Sequence, residues 1–410
     1  PTMPSSQWAI SALRERLLEE RTPAGHWEGE LSSSSLATAT AVSALTFVGG
    51  YDVLVRKGLH WLLNHQNADG GFGDADGCPS NISTTTLAWA TLSMHGSPAA
   101  PRAERWIEDQ VGTITAESLS NAIKQVYGED LTFSVPILTH CALAGKLRWE
   151  HIPALPFELA TLPHSWFKWV GLPVVSYALP ALIAIGLVQH RHHPSQHALS
   201  RRIRELAQQK TLRVLRSIQP ASGGFLEAIP LTSFVTMSLA GSGHIDHPVT
   251  RRSIKFITAS VREDGSWPID TNLATWLTTL SINALGADAF SPDERRYLKQ
   301  WLLDQQYTAV HPYTQSAPGG WAWTNLTGGV PDGDDTAGAL LALSVFGDDP
   351  EIRAAVTAGV KWLLDLQNTD GGIPTFCRGW GKFPFDRSSP DLTAHALRAW
   401  RAWQALDPRI

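Results

Sequence analysis

An all-α protein built from repeated helix pairs is the fold this sequence predicts, and three observations predict it. Apolar residues recur at helical spacing in one segment after another, stretches with strand character are scarce, and one glycine-rich turn returns six times between the helices. Helix pairs repeated in this way stack into a solenoid or close into an α/α barrel.

The helical segments fall in order at 37–48, 84–95, 137–145, 171–188, 232–240, 272–285, 336–346, 355–366 and 392–404. Between them comes a polar residue, often Gln, then Gly-Gly or Gly-x, and usually an aromatic. The copies are Gly25-His26-Trp27, Gly70-Gly71-Phe72, Gly223-Gly224-Phe225, Gly265-Ser266-Trp267, Gly319-Gly320-Trp321 and Gly371-Gly372. Clear neighbours lie about 40–55 residues apart, the length of a helix pair with its turn. Glycine permits the positive φ of a tight turn, and the aromatic can pack back on the preceding helix. One copy would be only a helix C-cap; six make a repeat.

A chain of 410 residues has material for about two domains. Its net charge of −5 and lack of a long basic run argue against a nucleic-acid partner. Three dispersed cysteines, Cys78, Cys141 and Cys377, point to a reducing compartment, hence a cytoplasmic location. The first 21 residues are amphipathic and charged, unlike a signal peptide, and the opening Pro1 points to a trimmed or processed boundary. Val170 to Gln189 is long enough to span a bilayer, but Pro173, Ser176, Tyr177 and Pro180 favour a buried helix after a turn. Contact with one membrane face stays open. His190, His192, His193 and His197 read as a solvated loop with Arg191 and Pro194, and no metal is assigned there.

Chemistry concentrates in Pro331-Asp332-Gly333-Asp334-Asp335-Thr336-Ala337, directly before an apolar Ala/Leu run. Crowded carboxylates cannot all ionise cheaply, so one can be kept protonated as a general acid. Taken alone, the stretch reads more readily as a helix cap, since acidic helix starts are common. Downstream, Asp391 and His395 are spaced i,i+4 on one helical face, which lets the carboxylate hold the imidazole.

These motifs resemble a known family. The Gln…Gly-Gly-aromatic turns are similar to the QW repeats of the squalene–hopene and oxidosqualene cyclases, and 331–337 resembles their DxDDTA acid motif, shared in part with class II diterpene cyclases. Pro318-Gly-Gly-Trp-Ala-Trp323 before it and Ser389-Pro-Asp-Leu-Thr-Ala-His395 after it match in order and spacing. The resemblance implies a class II terpene cyclase that protonates and cyclises a squalene-like polyprene to a polycyclic terpenoid, without a cofactor or metal. It implies Asp334 as proton donor, Asp332 and Asp335 crowding it, and His395 hydrogen-bonded to the cluster. Trp323 and Phe376, with Trp321 behind them, would face the cation, and Asp270 would be a further cavity residue.

The same resemblance implies two α/α barrels, with 25–265 inserted and 1–24 plus 266–410 bearing the acid. Only about six helices fall in the acid-bearing part, against roughly twelve in a closed barrel. Either the chain is a fragment, or a second chain or second copy completes the barrel, or the wall is built differently. Two other functions stay open. One is a class II cyclase acting on a prenyl diphosphate, the only case that would call for Mg²⁺; the other is a non-catalytic helical-repeat subunit or binding module.

Overall fold

The computed structural model describes residues 6–127, 131–162, 178–312, 314–376, 386–404, 406 and 409. The helices start where the sequence supplies caps. Ser34 accepts from the Ala37 N–H, Asn81 from Thr84, Asp332 from Asp335 and Asp349 from Glu351 and Ile352. Ser291 and Glu294 form a reciprocal capping box, and proline fills the first turn of Pro248–Ala259, Pro292–Asp304, Pro350–Leu366 and Pro390–Ala402.

The chain divides into two units, Glu30–Thr271 and the described residues on either side of that segment. In the first, Ser35–Val48, Ile82–Met94, Leu131–Leu143, Leu179–His192 and Ile229–Gly241 pack each on the next, and the last returns to the first. These inner helices have no solvent stripe: every residue from Ile82 to Leu92 is buried. Outer helices are amphipathic, as in Ala100–Val111, which buries only Ala100, Ala103 and Ile107. The second unit holds six helices among the described residues: Ser6–Glu19, Ala274–Leu285, Pro292–Asp304, Gly333–Ser344, Pro350–Leu366 and Pro390–Ala402. Gly333–Ser344 packs between Ala274–Leu285 and Pro390–Ala402. On those flanking helices Leu280 and Leu397 are 40% and 56% exposed.

A shared hydrogen bond explains why the turns repeat. In all six, the N–H of the residue after the second turn position donates to a threonine at the start of an inner helix. The pairs are Trp27–Thr278, Phe72–Thr85, Phe225–Thr232, Trp267–Thr38, Trp321–Thr336 and Ile373–Thr393, at 2.9 to 3.1 Å. The glutamine plays a separate part. Gln306 Nε2 donates to Gly319 O and to Ala355 O, each at 2.8 Å, tying the turn to the next outer helix. Gln66 and Gln219 do the same. Gly319 has φ +121°, and a Cβ there would meet Ala358 O at 2.7 Å, so only glycine fits.

These bonds move the expected domain boundaries. Trp27, expected in 25–265, bonds to Thr278 in the acid-bearing unit. Trp267, expected with 266–410, bonds to Thr38, and Trp267–Pro268 pairs antiparallel with Ser33–Ser34. Three other expectations change or fall partly outside the described residues. Residues 170–177 of the Val170–Gln189 segment lie outside them, and 179–192 is a largely buried helix. No helix among the described residues is long and apolar enough to cross a membrane. His190 and His192 close that helix instead of lying in a loop. Cys78 and Cys141 are free, and burial pushes the Cys141 thiol up to about 12; Cys377 lies outside the described residues.

Candidate active site

The Asp332-Gly-Asp-Asp motif opens the helix Gly333–Ser344, and its three carboxylates stand in different environments. Asp332 is the N-cap: its backbone is extended and its Oδ1 accepts from the Asp335 N–H at 2.8 Å. Asp332 and Asp335 are both buried and their side chains lie in hydrogen-bonding contact, while one oxygen of each has no partner. Burial pushes both carboxyls well above the ordinary carboxylate range; the charge of Asp332 raises Asp335 further, while hydrogen bonds from Asp335 partly offset the rise at Asp332. They titrate as a pair that retains a proton towards neutrality.

Asp334 points elsewhere. Its side chain is 34% exposed, and its Oδ1 lies 2.6 Å from His395 Nδ1. His395 is carried by Pro390–Ala402, which packs directly on the acid helix. Gly338, one turn beyond Asp334, lies between both flanking helices: a Cβ there would be a tight 3.1 Å from Thr279 Oγ1 and an ordinary 3.6 Å from His395 Cε1. The imidazole thus engages Oδ1 and not Oδ2 of this carboxyl group.

Two short backbone pairings clamp the motif. Asp332 N donates to Trp321 O at 3.0 Å, Gly333 N donates to Thr375 O at 2.8 Å, and Asp332 bridges to Phe376 as well as to Trp321. Gly333 makes this possible, because a Cβ there would sit 2.8 Å from Pro374 O and 2.9 Å from Ile373 Cγ2. The clamp sets Phe376 beside the motif, and Trp323 meets it edge-on with ring centroids 6.0 Å apart at 64°. The Trp323 carbonyl accepts from Thr275 N and Trp276 N, which fixes the indole at the start of Ala274–Leu285.

The other expected residues behave differently. Trp321 is fully buried, donates from Nε1 to Leu302 O at 2.8 Å, and packs against Gly359. It is a core residue of the repeat, like Trp27 and Trp267, whose indoles bond to Leu17 O and Ile257 O. Asp391 does not hold His395: it is exposed, accepts from Ser389 Oγ, and is kept below its ordinary value by that bond. At the first turn its side chain turns back to the cap position more readily than forward along the helix. Asp270 lies in the other unit, where burial pushes its carboxyl up to about 6. Thr336, Gly333 and Gly338 are positioning residues that the motifs alone did not reveal; the threonine recurring as the fourth residue of five inner helices was the available signal.

A family model described as the squalene-hopene cyclase N-terminal domain matches residues 10–301, and one for the C-terminal domain matches 273–386. The chain is 24% identical to a squalene–hopene cyclase of Alicyclobacillus acidocaldarius, over 93% of this chain and 65% of that protein. It is 25% identical to a terpene cyclase–glycosyl transferase fusion protein of Humicola fuscoatra, over 91% of this chain and 32% of that one. Abietadiene synthase from Abies grandis superposes with a TM-score of 0.53 at 15% identity, covering 98% of this chain and 49% of that one. The fold is thus that of the class II terpene cyclases. The chain belongs to the squalene–hopene cyclase family, and it spans less than two thirds of the length of the curated relatives it matches.

Proposed function

We propose that this chain carries the proton-donating part of a class II terpene cyclase that cyclises a squalene-like polyprene. The observation that supports this is the Asp334–His395 bond beside a buried, proton-retaining carboxyl pair. In this reading the proton on Asp334 Oδ2 passes to the terminal alkene carbon, and the alkene π pair forms the new C–H bond. The tertiary cation left behind is attacked by the next double bond, and each ring closure hands the charge onward until a proton is lost. The Asp334 carboxylate stays hydrogen-bonded to His395, so its charge is stabilised as it forms. Trp323 and Phe376 would offer π faces to the cation, and Asp270 remains a proposed cavity residue.

Proton transfer of this kind needs neither cofactor nor metal; a prenyl diphosphate substrate would add Mg²⁺ to its phosphates. In the same reading Glu30–Thr271 is the inserted barrel. Ala274–Leu285 and Pro390–Ala402, with Leu280 and Leu397 exposed, are the edges that a second chain or second copy would cover. A water-insoluble polyprene would favour a cytoplasmic protein that touches a membrane face.

The test is incubation with squalene and, separately, with geranylgeranyl diphosphate with and without Mg²⁺, products being resolved by mass spectrometry. Cyclised hydrocarbon or alcohol from squalene supports the proposal. Cyclised diphosphate alone would shift the substrate to the diphosphate class, and no product from either would leave a non-catalytic subunit.

A further inference from the structure

A cavity of about 320 Å³ lies at the C-terminal end of the helix Leu179–His192. Three elements converge on it. His190 and Arg191 come from that helix, Arg201, Glu205 and Gln208 from Ala198–Ser217, and His244 from the turn after Ile229–Gly241. All belong to the unit Glu30–Thr271.

Its donors greatly outnumber its acceptors. Arg191 and Arg201 have no ion pair or side-chain hydrogen bond among the described residues. The single lining carboxylate, Glu205, pairs outward with Arg202 at 3.5 Å. Just outside the lining, Arg204 is held by Glu158 at 3.1 Å. His190 is only 6% exposed, and its Nδ1 is buried with no partner. A buried N–H without an acceptor costs more than an empty lone pair, so the ring proton belongs on Nε2, where it is a donor. His244 Nδ1 is occupied by Ser242 Oγ at 3.1 Å.

Burial and then Arg204 and Arg201 hold His190 below its ordinary value, against the opposing pull of Glu205 and Glu158. Burial and then Arg191 do the same to His244. Each arginine's field is thus felt inside the cavity, and no carboxylate there neutralises both. Two unpaired guanidinium groups give the planar forks that match a phosphate oxygen pair, and Gln208 adds an amide.

We propose that this cavity is a binding site for an oxyanion of the phosphate class, gripped by Arg191 and Arg201 with His190 and Gln208 as supporting donors. The anion is either a free phosphate or the headgroup of an anionic lipid.

Calorimetric titration of the full chain with inorganic phosphate, and co-sedimentation with phosphatidylcholine vesicles containing phosphatidic acid, separate these sources. The double variant R191Q/R201Q should weaken the binding seen in either arm by roughly tenfold or more, as expected for lost charge-assisted hydrogen bonds. R213Q removes one of the same charges from the same helix outside the lining, where Arg213 bonds to Gln209 O, and should leave binding unchanged. Saturable phosphate binding assigns a free anion; binding to vesicles alone assigns a lipid headgroup. Absence of binding in both arms, unaltered binding in R191Q/R201Q, or an equal loss in R213Q would overturn the proposal.

Discussion

Asp334 and His395 stand 61 positions apart in the chain and 2.6 Å apart in space, Oδ1 to Nδ1. Two adjacent helices, Gly333–Ser344 and Pro390–Ala402, bring them together. The imidazole engages one carboxyl oxygen, and in the proposed mechanism the other delivers the proton. The neighbouring aspartates serve otherwise, Asp332 as helix cap and Asp335 as its buried partner.

His395→Ala should lower turnover by roughly ten- to a hundredfold, the worth of one hydrogen bond to a charged group. Melting temperature should change little, because the His395 side chain is not part of the apolar core. Asp391→Asn should leave turnover near wild type, since that carboxylate bonds to Ser389. Steady-state kinetics on the two variants checks both outcomes; a loss in Asp391→Asn as large as in His395→Ala would return Asp391 to the site.

The carboxyl pair gives stability a pH dependence with a definite sign. Asp332 is pushed from 3.8 up to about 7 in the folded chain, with burial as the main cause. The folded state therefore binds more protons than the unfolded state across that window. Stability from this pair is full below 3.8 and is lost as pH rises through about 7. Asp332→Asn keeps the capping oxygen but cannot ionise, so as pH rises from 3.8 to about 7 its melting temperature should fall less than that of wild type. Parallel melting curves across pH would contradict this.

Trp321 and Trp323 lie two residues apart and should respond in opposite ways. Trp321→Ala empties a fully buried site and should cost about 3–5 kcal/mol of stability. Trp323→Ala should cost less stability while altering rate or product pattern, because the half-buried ring meets Phe376 beside the acid. Denaturant melts paired with product profiles separate the two.

Gly333→Ala should disrupt the acid helix start despite adding one methyl group. The new Cβ would meet Pro374 O at 2.8 Å and Ile373 Cγ2 at 2.9 Å, forcing the clamp apart. Activity should fall together with stability. A folded, fully active Gly333→Ala variant would show that the clamp is not needed.

The repeat and the aspartate cluster were legible in the sequence because both leave local signals. Gly-Gly-aromatic turns carry a positive φ that few residues tolerate, and three aspartates in four positions are chemically conspicuous. What escaped depends on long-range pairing. Whether Trp27 belongs with the helix that follows it or with Ala274–Leu285 is decided by its bond to Thr278, 251 positions away. The contrast between Trp321 and Trp323 is likewise invisible in a Gly-Gly-Trp-Ala-Trp string. Spacing alone suggested that Asp391 reaches His395, but Asp334 takes the imidazole first and Ser389 takes Asp391. The threonines were readable, since Thr336 belongs to a series with Thr38, Thr85, Thr232, Thr278 and Thr393, yet their purpose shows only in the bonds they accept.

Conversion of squalene by wild type and by Asp334→Asn, followed by mass spectrometry of the products, tests the central claim most directly. The substitution preserves size and helix start but removes the transferable proton. Cyclised product from wild type and none from the variant, with circular dichroism unchanged, is the expected result. Equal product from both proteins would contradict the assignment of Asp334 as the acid.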